Sequence, residues 1–108
     1  AEVAEAVGGT AITADVSDGD DVARAFREAV QALGQVDILV NNAATNPALG
    51  PSIFVDDKIF DKIFEVNVKG PFMLTKAVQP IMKEQGGGTI INLASTAGIS
   101  PAPMLGVY

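Results

Sequence analysis

The amino-acid sequence predicts an α/β fold organised on a doubly wound parallel sheet. Two apolar runs of strand length, Val36 to Val40 (VDILV) and Thr89 to Leu93 (TIINL), are the first observation. Nearly continuous apolar strands are what a parallel sheet covered by helices on both faces requires. The second is the set of amphipathic stretches at helical spacing that flank these runs. The third is their order, helix, strand, helix, strand, broken helix, strand, which builds βαβ units with right-handed crossovers.

Taken in order, Ala1 to Val7 reads as the end of a helix, with Gly8-Gly9 supplying a left-handed C-terminal cap. Thr10 to Val16 predicts a short strand. Ser17 is the expected N-cap of the next helix, with Asp18, Asp20 and Asp21 near the positive end of its dipole. Val22, Phe26, Ala29, Val30 and Leu33 then recur on one face, and Gly34 stops the helix. After the strand at Val36 to Val40 come Asn41, Asn42, Ala43 and Ala44 at its C-terminal end, and a loop rich in proline and glycine. A helix from about Asp56 turns Ile59, Phe60, Ile63 and Phe64 inward. Asn67 interrupts this pattern, and Gly70-Pro71 fits the start of a new helix that runs to about Gln85. Lys69, Lys76 and Lys83 recur every seven residues as one solvated stripe. Phe72, Met73 and Met82 widen the apolar arc of this helix, which predicts two partners for it, the sheet and a second subunit. Pro80 is expected where its missing N–H costs little, or at a kink. Gly86 to Gly88 is a turn, because a phosphate loop needs a strand before it and a helix after it. The last strand delivers Ser95 to its C-terminal end, where open α/β sheets hold ligands. A loop with two prolines leads on to Tyr108.

Composition narrows the possible chemistry. The 108 residues are 48% hydrophobic, which suits one globular domain or part of one. There is no cysteine and no histidine, so disulfides, histidine or cysteine zinc sites and any histidine-based triad are excluded. A net charge of −6 disfavours nucleic acid and anionic membrane surfaces as partners. No apolar run is long enough to span a bilayer, and AEVAEAVGG has no basic leader, so a cytoplasmic protein is expected.

Read by themselves, Asn67 could cap the helix that Pro71 opens, and Asp15 could simply end a strand. Ser95 and Tyr108 have a shared chemical use. A serine hydroxyl can hold an oxygen whose charge changes while a phenol exchanges a proton with it. NNAA directly after DILV, EVNVKG around Asn67, INLAS ending on Ser95, and a tyrosine thirteen positions later accumulate in one order. Over Thr10 to Tyr108 the chain resembles the short-chain dehydrogenase/reductase family.

The resemblance implies a Rossmann-like sheet, NAD or NADP as cofactor, and an alcohol or ketone as small-molecule substrate, with residues 1–108 forming part of a single-domain enzyme. It implies that Tyr108 is the catalytic acid/base, that Ser95 orients the substrate oxygen, and that Asn67 kinks its helix and holds a water of a proton relay. Asn41, Asn42, Ala43 and Ala44 match a turn beside the cofactor that also steadies the sheet. Asp15 and Val16 match a pair that contacts the adenine ring. Ala44 stands where the family usually has glycine, so its backbone should avoid positive φ. The resemblance places a glycine-rich phosphate turn before Ala1, a lysine four residues beyond Tyr108, and two central strands before Ala1. An incomplete sheet and an isolated chain of low stability are therefore expected. The full-length protein is expected to be a homodimer or homotetramer, and the other reading of its function is a dinucleotide binder without catalysis or an inactive truncated fragment.

Overall fold

Strand residues become a strand only through a partner, and here two stretches find one. The structure, a computed structural model, describes residues 1–100 and 102–108; Pro101, one of the two prolines of the last loop, lies outside them. Strand β1 (Ile38–Asn41) pairs in parallel with β2 (Thr89–Asn92), Ile38 opposite Thr89 and Asn41 opposite Asn92. The ladder begins two residues later than the apolar run suggests, because Val36 is buried in the core and its carbonyl accepts from Gln85 Nε2 at 2.6 Å.

Thr10 to Val16 is not a strand, contrary to the sequence expectation. Among the described residues β1 and β2 pair with each other alone, so the stretch has no ladder to join. Side chains of helix α2 (Gly19–Leu33) hold it instead: Arg24 donates to the Thr13 carbonyl at 2.6 Å, and Asp21 Oδ2 accepts from the Asp15 N–H at 2.9 Å. Nor is Ser17 the cap of α2. Its hydroxyl donates to Asp15 at 2.6 Å, and Asp18 caps the helix through the N–H groups of Asp20 and Asp21. The first helix, α1 (Glu2–Val7), ends as predicted on Gly8 in left-handed conformation.

The crossover from β1 to β2 is one helical rod with a fault in it. Helix α3 (Asp57–Phe64), N-capped by the Asp56 side chain, runs into a π turn over Glu65–Lys69 and on into α4 (Gly70–Glu84). The interruption predicted at Asn67 is this π turn rather than a break followed by a new helix. Gly70 gives Val16 room there, since a Cβ would lie 3.1 Å from the carbonyl oxygen and a methyl of Val16. Of the α3 residues predicted to face inward, Ile63 is buried, while Phe60 and Phe64 stack on each other at 4.7 Å and stay 44% exposed. Pro80 lies within α4 on its exposed side, where water can satisfy the carbonyl it leaves unbonded. Lys69, Lys76 and Lys83 are exposed, as the solvated stripe requires. No helix among the described residues is long and apolar enough to cross a membrane.

Helices α2 and α4 pack on one face of the sheet. Val36, Val78 and Met82 form the buried centre, with Phe26, Val30, Leu39 and Ile90 around it. The opposite face is bare, with Ile38 61%, Val40 51% and Ile91 45% exposed, where the sequence predicts helices on both sides. The accessible surface is 7656 Å², against about 5,700 Å² for a folded monomer of this mass. The radius of gyration is 16.0 Å, against about 13 Å for a compact chain of this length. Besides the bare sheet face, α1 buries no residue, and Leu49, Ile53, Phe54 and Ile99 stand exposed in the loops. The isolated 108-residue chain should therefore melt without a cooperative transition or associate. A sharp calorimetric transition from a monomer in sedimentation would contradict this.

Candidate active site at the strand ends

In parallel strands both C-termini point the same way, so whatever follows β1 and β2 meets at one end of the sheet. Asn41 and Asn92 close that end, Asn41 Nδ2 donating to Asn92 Oδ1 at 2.8 Å, and the Leu93 N–H continues the ladder to the Asn41 carbonyl at 3.0 Å. Beyond them a cavity of about 750 Å³ opens, with Asn41, Asn42, Ala43 and Ala44 on one side and Ser95 and Tyr108 on the other. Asn67 lines it as well, so seven of the predicted site residues share one cavity. Asp15 and Val16 do not line it.

Each of these side chains is held differently. Ser95 accepts from the Ala97 N–H at 3.1 Å and caps a single 3₁₀ turn, Thr96–Gly98, which leaves its hydroxyl proton free to donate. Asn67 uses both ends of its amide on one residue: its Oδ1 accepts from the Thr45 N–H at 2.8 Å and its Nδ2 donates to the Thr45 carbonyl at 2.9 Å. This clamp ties the turn after β1 to the π turn. Asn41 is only 6% exposed, and its Oδ1 is buried without a hydrogen-bond partner. Ala44 avoids positive φ, since Met104 is the only non-glycine residue with positive φ among those described.

Asp15 and Val16 connect to this end indirectly. Val16 packs against Gly70, directly after the π turn, and Lys62 of α3 donates to Ser17 Oγ at 3.3 Å with its ammonium 3.9 Å from Asp15 Oδ2. The hydrogen bonds from the Ser17 hydroxyl and N–H lower the Asp15 pKa, with Lys62 adding to them. The Asp15 N–H and Arg24 lower that of Asp21.

Four lining residues from the crossover were not read as site residues in the sequence: Val68, Pro71, Phe72 and Thr75. Their spacing of three, four and seven residues along one helix face was the available signal. Of the residues that widen the apolar arc expected to serve the sheet and a second subunit, Phe72 lines the cavity, Met82 is in the core and Met73 lies beside Gly19.

A sequence profile described as short chain dehydrogenase matches residues 1–108. The chain belongs to the short-chain dehydrogenase/reductase family. A bovine protein, dehydrogenase/reductase SDR family member 4, is 43% identical over 99 residues, covering 92% of this chain and 36% of its own length. The crystal structure of a 3-ketoacyl-(acyl-carrier-protein) reductase from Brucella melitensis, complexed with NADH, superimposes with a TM-score of 0.95 at 37% identity, covering 99% of this chain and 47% of that one. NAD⁺-bound xylitol dehydrogenase superimposes at 0.88 with 33% identity, covering 99% and 44%. The fold is thus a Rossmann-like parallel α/β sheet, of which this chain forms part, spanning less than half the length of these relatives.

Within this short-chain dehydrogenase/reductase, Asn67→Ala removes two hydrogen bonds and should lower stability by about 2 kcal/mol, at about 1 kcal/mol per bond. Urea unfolding of the protein that carries this chain measures the loss. Because Asp15 and Asp21 titrate lower folded than unfolded, their contribution is complete above the unfolded carboxylate value near 4 and is lost as pH falls through the folded values. Carboxyl chemical shifts followed on acidification should show both midpoints below that value.

Proposed function

We propose that the protein carrying this chain is an NAD(P)-dependent oxidoreductase that moves hydride between the cofactor and a carbonyl or secondary alcohol. The observation that supports it is the convergence of Ser95, Tyr108 and Asn67 on the cavity beside the 41–44 turn. The residues present fit a nicotinamide ring. Ala43 and Ala44 offer an exposed lip bearing only methyl groups, and a volume of about 750 Å³ is ample for a ring and a small substrate. Asn42, Ala43 and Ala44 would flank the ring, Asn41 would brace the turn from beneath, and Asp15 with Val16 would border the adenine. We assign residues 1–108 to one dinucleotide-binding domain.

A bound nicotinamide supplies hydride in reduction and takes it up in oxidation. In reduction Tyr108 gives its hydroxyl proton to the carbonyl oxygen as that oxygen gains charge, and takes it back when the alcohol is oxidised. Ser95, whose proton is free, donates to the same oxygen and keeps it near Tyr108. Asn67 acts first through the main chain: with its amide engaged by Thr45, it fixes the turn beside the cofactor and the π turn in one arrangement. A relay water at Asn67 would therefore rest on backbone groups of the π turn. For the whole protein the reading is a homodimer or homotetramer.

Tyr108→Phe in the protein that carries this chain should lower kcat by roughly 10²–10⁴-fold. Cofactor affinity should hardly change. Absorbance at 340 nm over a panel of alcohols and ketones reads the rate, and full turnover by the variant would refute the proton role.

A further inference from the structure

Tyr108 has a second setting besides the main cavity. It also lines a narrow crevice where the loop around Gly50 meets the segment from Met104 to Val107. Among the described residues no side chain bonds to its hydroxyl, and the backbone on its N-terminal side runs along this crevice. That backbone meets the Gly50 loop at two points. The Gly50 N–H donates to the Met104 carbonyl at 3.0 Å, with Gly50 at φ 142°. Two residues on, Gly106 lies against Ser52 so closely that a Cβ there would collide with Ser52 Oγ and come within 3.3 Å of Ser52 Cβ. Between these points Met104 has φ 68°, the left-handed conformation that a side chain disfavours. Such a residue persists where its surroundings over-determine it, and such residues cluster at functional sites.

We propose that the contact of the Gly50–Ser52 loop with Met104 and Gly106 is a clasp that positions Tyr108 for proton transfer, with Gly106 as its positioning residue. The inference rests on the acid/base reading of Tyr108. The loop after β1 carries half of the clasp and is tied at Thr45 to Asn67, so the clasp joins the tyrosine to the same frame that holds the 41–44 turn. Proton transfer needs hydrogen-bond reach, and a displacement of about 1 Å can cost roughly 10²-fold in rate.

The test is steady-state kinetics in the protein that carries this chain, with cofactor affinity from fluorescence titration and folding from thermal melts. Gly106→Ala should lower kcat by roughly 10²-fold while cofactor affinity holds. Adding Ser52→Gly to it should restore most of the loss, because the obstructing side chain is gone. A folded Gly106→Ala with normal kcat, or one as slow with Ser52→Gly as without it, overturns the clasp. If Gly106→Ala does not fold, Met104 decides. Met104→Val, which resists positive φ, should slow kcat, whereas Met104→Gly should keep it, and equal rates overturn the proposal. Tyr108→Phe run alongside separates the failures: full turnover there removes the acid/base reading and the clasp with it, whereas a dead Tyr108→Phe beside a normal Gly106→Ala removes the clasp alone.

Discussion

The parallel pairing of β1 with β2 is the constraint from which the site follows. Parallel strands bring their C-terminal ends to one edge, and everything with chemical capacity lies just past those ends: the 41–44 turn after one strand, Ser95 and Tyr108 after the other. The hydrogen bond from Asn41 to Asn92 sits at the boundary between ladder and cavity. Two asparagines in matched register are a polar cost inside a sheet unless they satisfy each other, and here one of the two oxygens still lacks a partner. The cavity floor is therefore a polar patch in an otherwise apolar layer.

Helical packing then converts the crossover into a frame. Met82 and Val78 anchor α4 to the sheet through Leu39 and Ile90, which fixes the rod at its C-terminal half. At the other end Gly70 admits Val16 and Asn67 grips Thr45, so the extended stretch before α2 and the turn after β1 are both referenced to the π turn. Arg24 and Asp21 do for residues Thr13 to Asp15 what a neighbouring strand would otherwise do. These ties are mostly hydrogen bonds at exposed or half-exposed sites, each worth about 1 kcal/mol. They define where the pieces lie more than they stabilise them.

Much of this was legible in the sequence, and the failures have definite physical causes. VDILV and TIINL are apolar enough to be strands in any context, whereas TAITADV is a strand only with a neighbour, and a single chain pattern says nothing about neighbours. Ser17 and Asp18 are both competent caps, and the choice between them turns on Asp15, which takes the Ser17 hydroxyl and leaves Asp18 to the helix. Asn67 announced a fault in the rod, yet its partner lies 22 residues away, beyond the reach of local periodicity. Phe72 sat in an apolar arc whose width could be explained by a neighbouring subunit, and only the fold shows that part of that arc faces the cavity.

The π turn also makes this stretch sensitive to chain length rather than to side-chain chemistry. A π turn takes up one residue more than an α-helix over about the same rotation, so losing one residue from Glu65–Lys69 would let the rod relax to ordinary α geometry with its two halves still in register. With α4 anchored by Val78 and Met82, the faces of α3 and α4 would stay where they are, and what would be lost is the bulge that carries the Asn67 grip on Thr45. A one-residue deletion in the regular α turns on either side has no such slack and would rotate one half of the rod against the other by about 100°.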